Sequence, residues 1–345
     1  MSELLAAQGL LGQGRPGGEG RPRIAVVIPS YKVRAHVLDV VRSIGPEVAV
    51  IYCVDDACPE SSGDFIEQNC TDPRVKVIRH AVNQGVGGAT LTGYRQAAAD
   101  GADVIVKIDG DGQMDPALLP LFVAPILRGE ADYCKGNRFW ELSEIRQMPW
   151  LRRIGNLGLS FMAKASTGYW DIFDPTNGYT AIHGRVVARL PAEAISKRYF
   201  FETDLLFRLG TIRAVVVDVP MDAKYGDEVS NLKVSDVLFE FAYKHARNLF
   251  KRIAYKYYLR DLSIASLELV VAVLLLAFGV SYGGWHWWQL AGSGQAAPVG
   301  TVVLPALAII SGIQFLLAFL GFDIASVPRR PIHPYLVDIK GKART

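Results

Sequence analysis

No G-x-G-x-x-G follows the first apolar strand of this 345-residue chain, and G-x-x-x-x-G-K-[ST] occurs nowhere in it. The first absence leaves a dinucleotide-binding dehydrogenase without support, and the second does the same for a P-loop phosphotransferase. Cys53, Cys58, Cys70 and Cys134 show neither C-x-x-C nor zinc spacing. They read as small reduced hydrophobes in a cytosolic portion, not as a disulfide framework. The net charge is only +3, so no overall field calls for nucleic acid. A secretory signal is also missing: Glu3 stands where a basic region belongs, and the apolar run at 4–11 is short and broken by Gln8 and Gly9. What the chain has in excess is apolar content, 50% of residues with a mean hydropathy of +0.19, concentrated toward its C-terminal end.

Residues 1–22 are rich in glycine and proline and are expected to form a mobile leader. From Arg23 onward, short apolar runs alternate with helical stretches. Strands are expected at 24–29, 48–54, 75–78, 104–108 and 215–220, and helices near 36–44, 63–68, 86–99 and 151–165. Strand and helix in alternation imply right-handed crossovers and a mainly parallel sheet covered on both faces. Polar clusters follow four of these strands directly: Pro29, Ser30 and Tyr31; Asp55 and Asp56; Asn83 through Gly88, with Gly85; and Asp109, Asp111 and Gln113. Asp and Gly at a strand end are ordinary turn chemistry. Four such clusters on one edge of a parallel sheet, however, converge on a single crevice. Asp109, Asp111 and Gln113 supply the hard oxygen ligands that Mg²⁺ or Mn²⁺ prefers, and such an ion is usually shared with substrate phosphates. Acids at two strand ends suit a ribose or base together with a metal-bridged diphosphate, which points to a sugar nucleotide.

Together, Pro29-Ser30-Tyr31, Val54-Asp55-Asp56, Asn83 with Gly85 and Gly88-Ala89, and Asp109, Asp111, Gly112, Gln113 resemble the inverting family 2 glycosyltransferases of the GT-A fold. Within that family the chain is most similar to the polyprenyl-phosphate glycosyltransferases, over roughly residues 23–235. The resemblance implies that Tyr31, Asp55 and Asp56 hold the nucleoside with Pro29, Gly85, Gly88 and Asp109 around it. It also implies that Asp109, Asp111 and Gln113 bind the metal, with Asp111 essential to catalysis. Lys32-Val33 stand where family members carry Asn-Glu. Arg138, within Lys135-Gly136-Asn137-Arg138-Phe139, matches the arginine that relatives direct at the acceptor phosphate, and guanidinium suits that role by its bidentate geometry and permanent charge. Asp174 is expected near the sugar or acceptor. Glu202 and Asp204 occupy the place where many family 2 enzymes put a general base. A lipid phosphate is already anionic, so for that acceptor they are orienting acids. Ser230 and Lys233 match a loop that closes over the diphosphate, with Gly226 in place of the expected arginine. The helix at 151–165, carrying Arg152, Arg153 and Lys164, either lines an acceptor groove or packs with a solvated basic face.

Residues 236–262 alternate an apolar face with Lys244, Arg247, Lys251, Arg252, Lys256 and Arg260, the pattern of a helix lying in an anionic membrane interface. Two apolar runs, 264–282 and 299–322, are each long enough to span a bilayer, which takes about 20 residues. The stretch between them, 283–298, has no Lys or Arg, whereas Arg329, Arg330, Lys340, Lys342 and Arg344 follow the second run. The positive-inside rule therefore puts the catalytic domain and both termini in the cytoplasm, with Trp285, Trp287 and Trp288 at the far interface. Glu268 is assigned no chemistry. The expected organisation is a leader at 1–22, a GT-A domain at 23–235, a juxtamembrane helix at 236–262, two spans at 263–323 and a basic tail at 324–345. The expected activity moves one sugar from a nucleotide donor to polyprenyl phosphate, in contact with membrane lipid and as a homo-oligomer. Transfer to a hydroxyl of a lipid-linked glycan, or a silent sugar-nucleotide-binding scaffold, are the alternatives.

Overall fold

The computed structural model describes residues 21–140, 150–221 and 234–336, together with Ala7. The leader, the loop holding Ser230 and Lys233, and the tail residues Lys340, Lys342 and Arg344 lie outside the described residues. The chain forms two compact units, Met1–Asn248 with Pro328–Thr345, and Leu249–Val327. In order the elements are β1 (Ile24–Ser30), α1 (Val37–Ser43), β2 (Val48–Asp55), α2 (Ser62–Asn69), β3 (Val75–Arg79), α3 (Val86–Ala99), β4 (Val104–Lys107), α4 (Leu119–Leu127), β5 (Tyr133–Asn137), α5 (Trp150–Thr167), β6 (Thr180–His183), the single turn α6 (Gly184–Val187), α7 (Phe201–Thr211), β7 (Val216–Pro220), α8 (Val234–Ala254), α9 (Ile264–Leu290) and α10 (Val299–Ala325).

The first unit is a seven-stranded sheet in the order β3-β2-β1-β4-β6-β5-β7. Strands β1, β2, β3 and β4 run parallel, β6 runs against both β4 and β5, and β5 and β7 are parallel. The apolar runs become strands because both faces are covered, so β1, most of β2 and all of β4 are buried. Val37, Val40 and Val41 of α1 and Leu119, Phe122, Val123 and Ile126 of α4 pack with Val26, Ile51 and Val106 in one core. On α3, a side chain at Gly93 would collide with Val27, so the glycine permits close approach to β1.

This topology decides which segments meet. Strand β5 points the same way as β4 because both oppose β6. The C-terminal ends of β1, β2, β4, β5 and β7 therefore share one edge with the N-terminal end of β6. Short β5 and β6, which periodicity does not reveal, deliver Arg138 and the segment 174–180 to the edge that already carries Asp109.

In the second unit, α9 and α10 are each 27 residues, long and apolar enough to cross a membrane. They pack antiparallel: a side chain at Gly279 would meet Ile309 and Pro305, one at Gly283 would meet Pro305, and one at Gly312 would meet Leu276. The tryptophans Trp285, Trp287 and Trp288, expected in a connection starting at residue 283, lie instead in α9, which continues through Gly283 and Gly284 to Leu290. Neither glycine breaks the helix, and the first sits at the contact with Pro305. Near the end of α10, buried Asp323 accepts hydrogen bonds from Arg252 at 2.7 and 2.9 Å, Lys256 at 3.0 Å and Tyr257 at 2.6 Å.

Candidate active site

At the shared edge lies a cavity of about 410 Å³ bordered by Asp109, Asp111, Gln113, Arg138, Asn177 and Glu202. The metal-loop residues expected from sequence thus meet the expected acceptor arginine and one of the two expected acids. The loop after β4 is shaped by Gly112, whose φ of +79 suits glycine, and by Gln113 N donating to Asp111 Oδ1 at 2.9 Å. Among the described residues no three His, Cys, Asp or Glu side chains gather as a ready-made metal cage. Two carboxylates and an amide oxygen on an open cavity instead fit an Mg²⁺ or Mn²⁺ ion that takes its remaining ligands from a diphosphate and water.

Beneath this loop lie cations that the sequence pattern did not single out. Lys107, the last residue of β4, is 1% exposed, with Nζ 2.8 Å from Asp109 Oδ1 and 3.8 Å from Glu202 Oε1. Lys107 and Lys135 both pair in register with Thr180 of β6, so the three form one row across β4, β6 and β5. Lys135 is likewise buried and donates to the carbonyl of Asn177. Burial pushes Lys135 down to about 8, against the pull of Glu202 and Asp174. At Lys107 burial also acts to lower the pKa, but Asp109 and Glu202 outweigh it and the net shift is upward. Burial raises the carboxyl of Glu202, opposed by the same two lysines. A lysine inside V-I-V-K-I reads as a strand end, and only the cross-strand register shows it to be the floor of a site.

Arg138 is clamped by Asp174, which is fully buried: Nε donates at 2.8 Å and Nη2 at 3.1 Å, a bidentate pair. Asp174 therefore orients the arginine from behind. Asp204 turns away from the cavity, accepting from Ser196 N at 2.8 Å and Asn248 Nδ2 at 3.0 Å, so of the two expected acids only Glu202 borders the cavity.

The residues expected around the nucleoside lie along the ends of β1 and β2 and the start of α3, with Asp109 after β4. Tyr31 is 44% exposed beside buried Pro29. Asp55 is buried and accepts from Cys58 N at 2.7 Å and Gly63 N at 2.6 Å, closing the turn into α2. Asp56, also buried, accepts from Gln84 N at 2.8 Å and Gly85 N at 2.7 Å and pairs with His80 Nδ1 at 2.7 Å. His80 Nε2 in turn lies 2.8 Å from Thr92 Oγ1. Gly85 has φ +86, and the N–H groups of Gly87 and Gly88 face the carbonyl of Lys197. The carboxylates of Asp55 and Asp56 are thus directed at backbone N–H groups and, for Asp56, at His80.

The Glycosyl transferase family 2 model matches residues 25–190. The chain is 30% identical over 204 residues to undecaprenyl-phosphate mannosyltransferase of Micrococcus luteus, covering 58% of this chain and 82% of that one. It is 28% identical over 232 residues to UDP-N-acetylglucosamine--dolichyl-phosphate N-acetylglucosaminyltransferase of Methanococcus voltae, covering 63% and 92%. Its fold is similar to glucosyl-3-phosphoglycerate synthase from Mycobacterium tuberculosis, with TM-score 0.50 and 20% identity over 73% of this chain and 83% of that chain. The strand-end acids, the GT-A-like sheet that gathers them and these relatives agree: the chain belongs to glycosyl transferase family 2 and is a glycosyltransferase.

Proposed function

We propose that the protein transfers a single sugar, with inversion, from a nucleotide-sugar donor to polyprenyl phosphate at the cytoplasmic face of a membrane. The observation that carries this reading is the pairing, at one cavity, of a metal-type loop (Asp109, Asp111, Gln113) with a buried-acid-clamped arginine, Arg138. Support comes from the relatives, two of which are named as acting on polyprenyl phosphates, and from the two bilayer-length helices.

In this reading Asp109, Asp111 and Gln113 hold Mg²⁺ or Mn²⁺ against the donor diphosphate, and the ion supplies charge stabilisation for the departing group. Lys107 holds Asp109 in place. Arg138, its plane set by Asp174, binds the acceptor phosphate with little further ordering. An oxygen of that phosphate forms the new bond to the anomeric carbon as the bond to the diphosphate breaks, and the electron pair leaves with the nucleoside diphosphate. No base is needed, because the attacking oxygen arrives already ionised. Ser230 and Lys233 are proposed to close over the diphosphate. Self-association within the bilayer is also proposed, and particle mass in detergent will count the subunits.

The test uses the purified full chain with Mg²⁺ or Mn²⁺ and undecaprenyl phosphate. Release of nucleoside diphosphate from at least one common sugar nucleotide is expected, and no release from any of them refutes the proposal. A second reading, transfer to a glycan hydroxyl, is favoured by one observation: Glu202 is a carboxyl at the cavity whose pKa burial raises. That reaction needs a base, so Glu202→Gln would lower turnover by about 10²-fold or more. With lipid phosphate as acceptor, the variant retains most of its rate.

A further inference from the structure

The clamp between Arg138 and Asp174 joins two segments that lie outside the strands. Arg138 follows β5, which ends at Asn137, and Asp174 lies in the connection ahead of β6. Their mutual geometry depends on what holds those segments together, and one atom holds both. Asp218 Oδ2, on β7, accepts from Asn137 Nδ2 at 3.0 Å and from Phe173 N at 2.9 Å. Asn137 directly precedes Arg138 and Phe173 directly precedes Asp174, so a single carboxylate oxygen ties down the residue before each partner of the clamp. Asn137 extends the restraint past the arginine, because its Oδ1 accepts from Phe139 N at 2.9 Å. The strand register explains the reach: Asp218 pairs with Lys135 on β5, two residues before Asn137 and on the same face of the sheet.

Asp218 does not border the cavity, so it acts on a substrate only through the residues it holds. The carboxyl is half-buried, but its Oδ1 is sealed from solvent and has no hydrogen-bond partner among the described residues. Burial raises it to about 6, with Asp174 adding to the rise and the bond from Phe173 N, the charge of Lys135 and the bond from Asn137 opposing it. The charged groups facing it are Lys135 from β5 and, from the connection before β6, Asp174 with Arg138 paired behind it. Ionised, Asp218 accepts two charge-assisted bonds; protonated, it accepts them at roughly half the strength.

We infer that Asp218 is a positioning residue for acceptor binding, which locks Asn137 and Phe173 and through them sets the Arg138–Asp174 pair in the geometry that grips the acceptor phosphate. The inference rests on the assignment of Arg138 to that phosphate. The test measures donor and acceptor KM of the full chain in nanodiscs, with Mn²⁺, undecaprenyl phosphate and a sugar nucleotide that it turns over, for the wild type, Asp218→Asn, Arg138→Lys and the double variant. At about pH 7, Asp218→Asn is expected to raise the acceptor KM about fivefold, with the donor KM changed by less than about twofold, because two bonds lose their charge. The ratio of variant to wild-type acceptor KM is expected to shrink toward one at about pH 5, where the wild-type carboxyl is itself protonated. Ionisation of the acceptor cancels in that ratio, since both proteins meet the same substrate. In the Arg138→Lys background, Asp218→Asn is expected to add less than about twofold, because it acts through the arginine. Asn137→Ala removes the tie on the Arg138 side; it is expected to raise the acceptor KM in the same direction, and it carries the test if Asp218→Asn does not fold. An unchanged acceptor KM in Asp218→Asn beside a raised one in Arg138→Lys overturns the inference and leaves the acceptor assignment standing. Equal rises in both KM values, a ratio that does not vary with pH, or a full effect added to that of Arg138→Lys overturn it as well. An unchanged acceptor KM in Arg138→Lys removes the assignment and the inference together.

Discussion

Two acidic pairs stand at the ends of strands on either side of β1, Asp55 and Asp56 at the end of β2 and Asp109 and Asp111 after β4, and they are held in opposite ways. The first pair is buried and directed at backbone N–H groups: Cys58 and Gly63 for Asp55, Gln84 and Gly85 for Asp56. The second pair borders the cavity, with Asp109 held by Lys107 from below. Removing a carboxylate surrounded by local N–H donors leaves those donors orphaned. A carboxylate on an open cavity, steadied by one buried cation, is placed to meet a ligand.

The sharpest way to break this contrast is to remove one acid from each pair. Asp111→Ala is expected to lower turnover by about 10³-fold, the scale of a lost electrostatic stabiliser, while stability falls by no more than about 1 kcal/mol, because the carboxylate borders an open cavity. A large drop in the unfolding midpoint would instead make Asp111 structural. Asp56→Ala is expected to destabilise the protein by about 3 kcal/mol in denaturant titration, since it strands His80 and two backbone donors. Unchanged stability with lost nucleotide affinity would erase the difference between the pairs.

Arg138→Lys tests the clamp at the other end of the cavity. Lysine cannot reproduce the bidentate bond to Asp174, so the acceptor KM is expected to rise about tenfold with the donor KM little changed. An equal rise for both substrates would detach Arg138 from the acceptor.

The smallest effect concerns Asp218 on β7, whose carboxyl burial raises from 3.8 to about 6. Because the folded form holds its proton more tightly than the unfolded form, the stability linked to this group is present below about pH 4 and is lost as pH rises to about 6. Asp218→Asn is expected to remove that part of the pH dependence, read as unfolding midpoints across the same window. A variant with the unchanged profile would place the titration elsewhere.

Much of the fold could be read from sequence because β1, β2 and β4 are apolar on both faces and end in polar clusters. Strands β5 and β6 could not: Tyr133–Asn137 holds Lys135 and Asn137, and Thr180–His183 is only four residues long, so neither shows a period. Their burial depends on cross-strand neighbours that a linear pattern does not contain. The same limit applies to the site. Asp109, Asp111, Gln113, Arg138 and Glu202 could be placed by position after strands and by family resemblance. The separate fates of Asp55, Asp56 and Asp204 depend on donors as distant in sequence as Gly85 and Asn248. Lys107 and Lys135 became visible only through their shared register with Thr180.

The most direct measurement is product identity. The full chain in nanodiscs is incubated with Mn²⁺, undecaprenyl phosphate and a series of radiolabelled sugar nucleotides, and the lipid fraction is then treated with mild acid. One donor should label the lipid through an acid-labile phosphate linkage, and Asp111→Ala should abolish that label. Failure of every donor to label the phosphate, together with transfer to a glycan hydroxyl, would contradict a charged lipid acceptor facing a metal-held diphosphate.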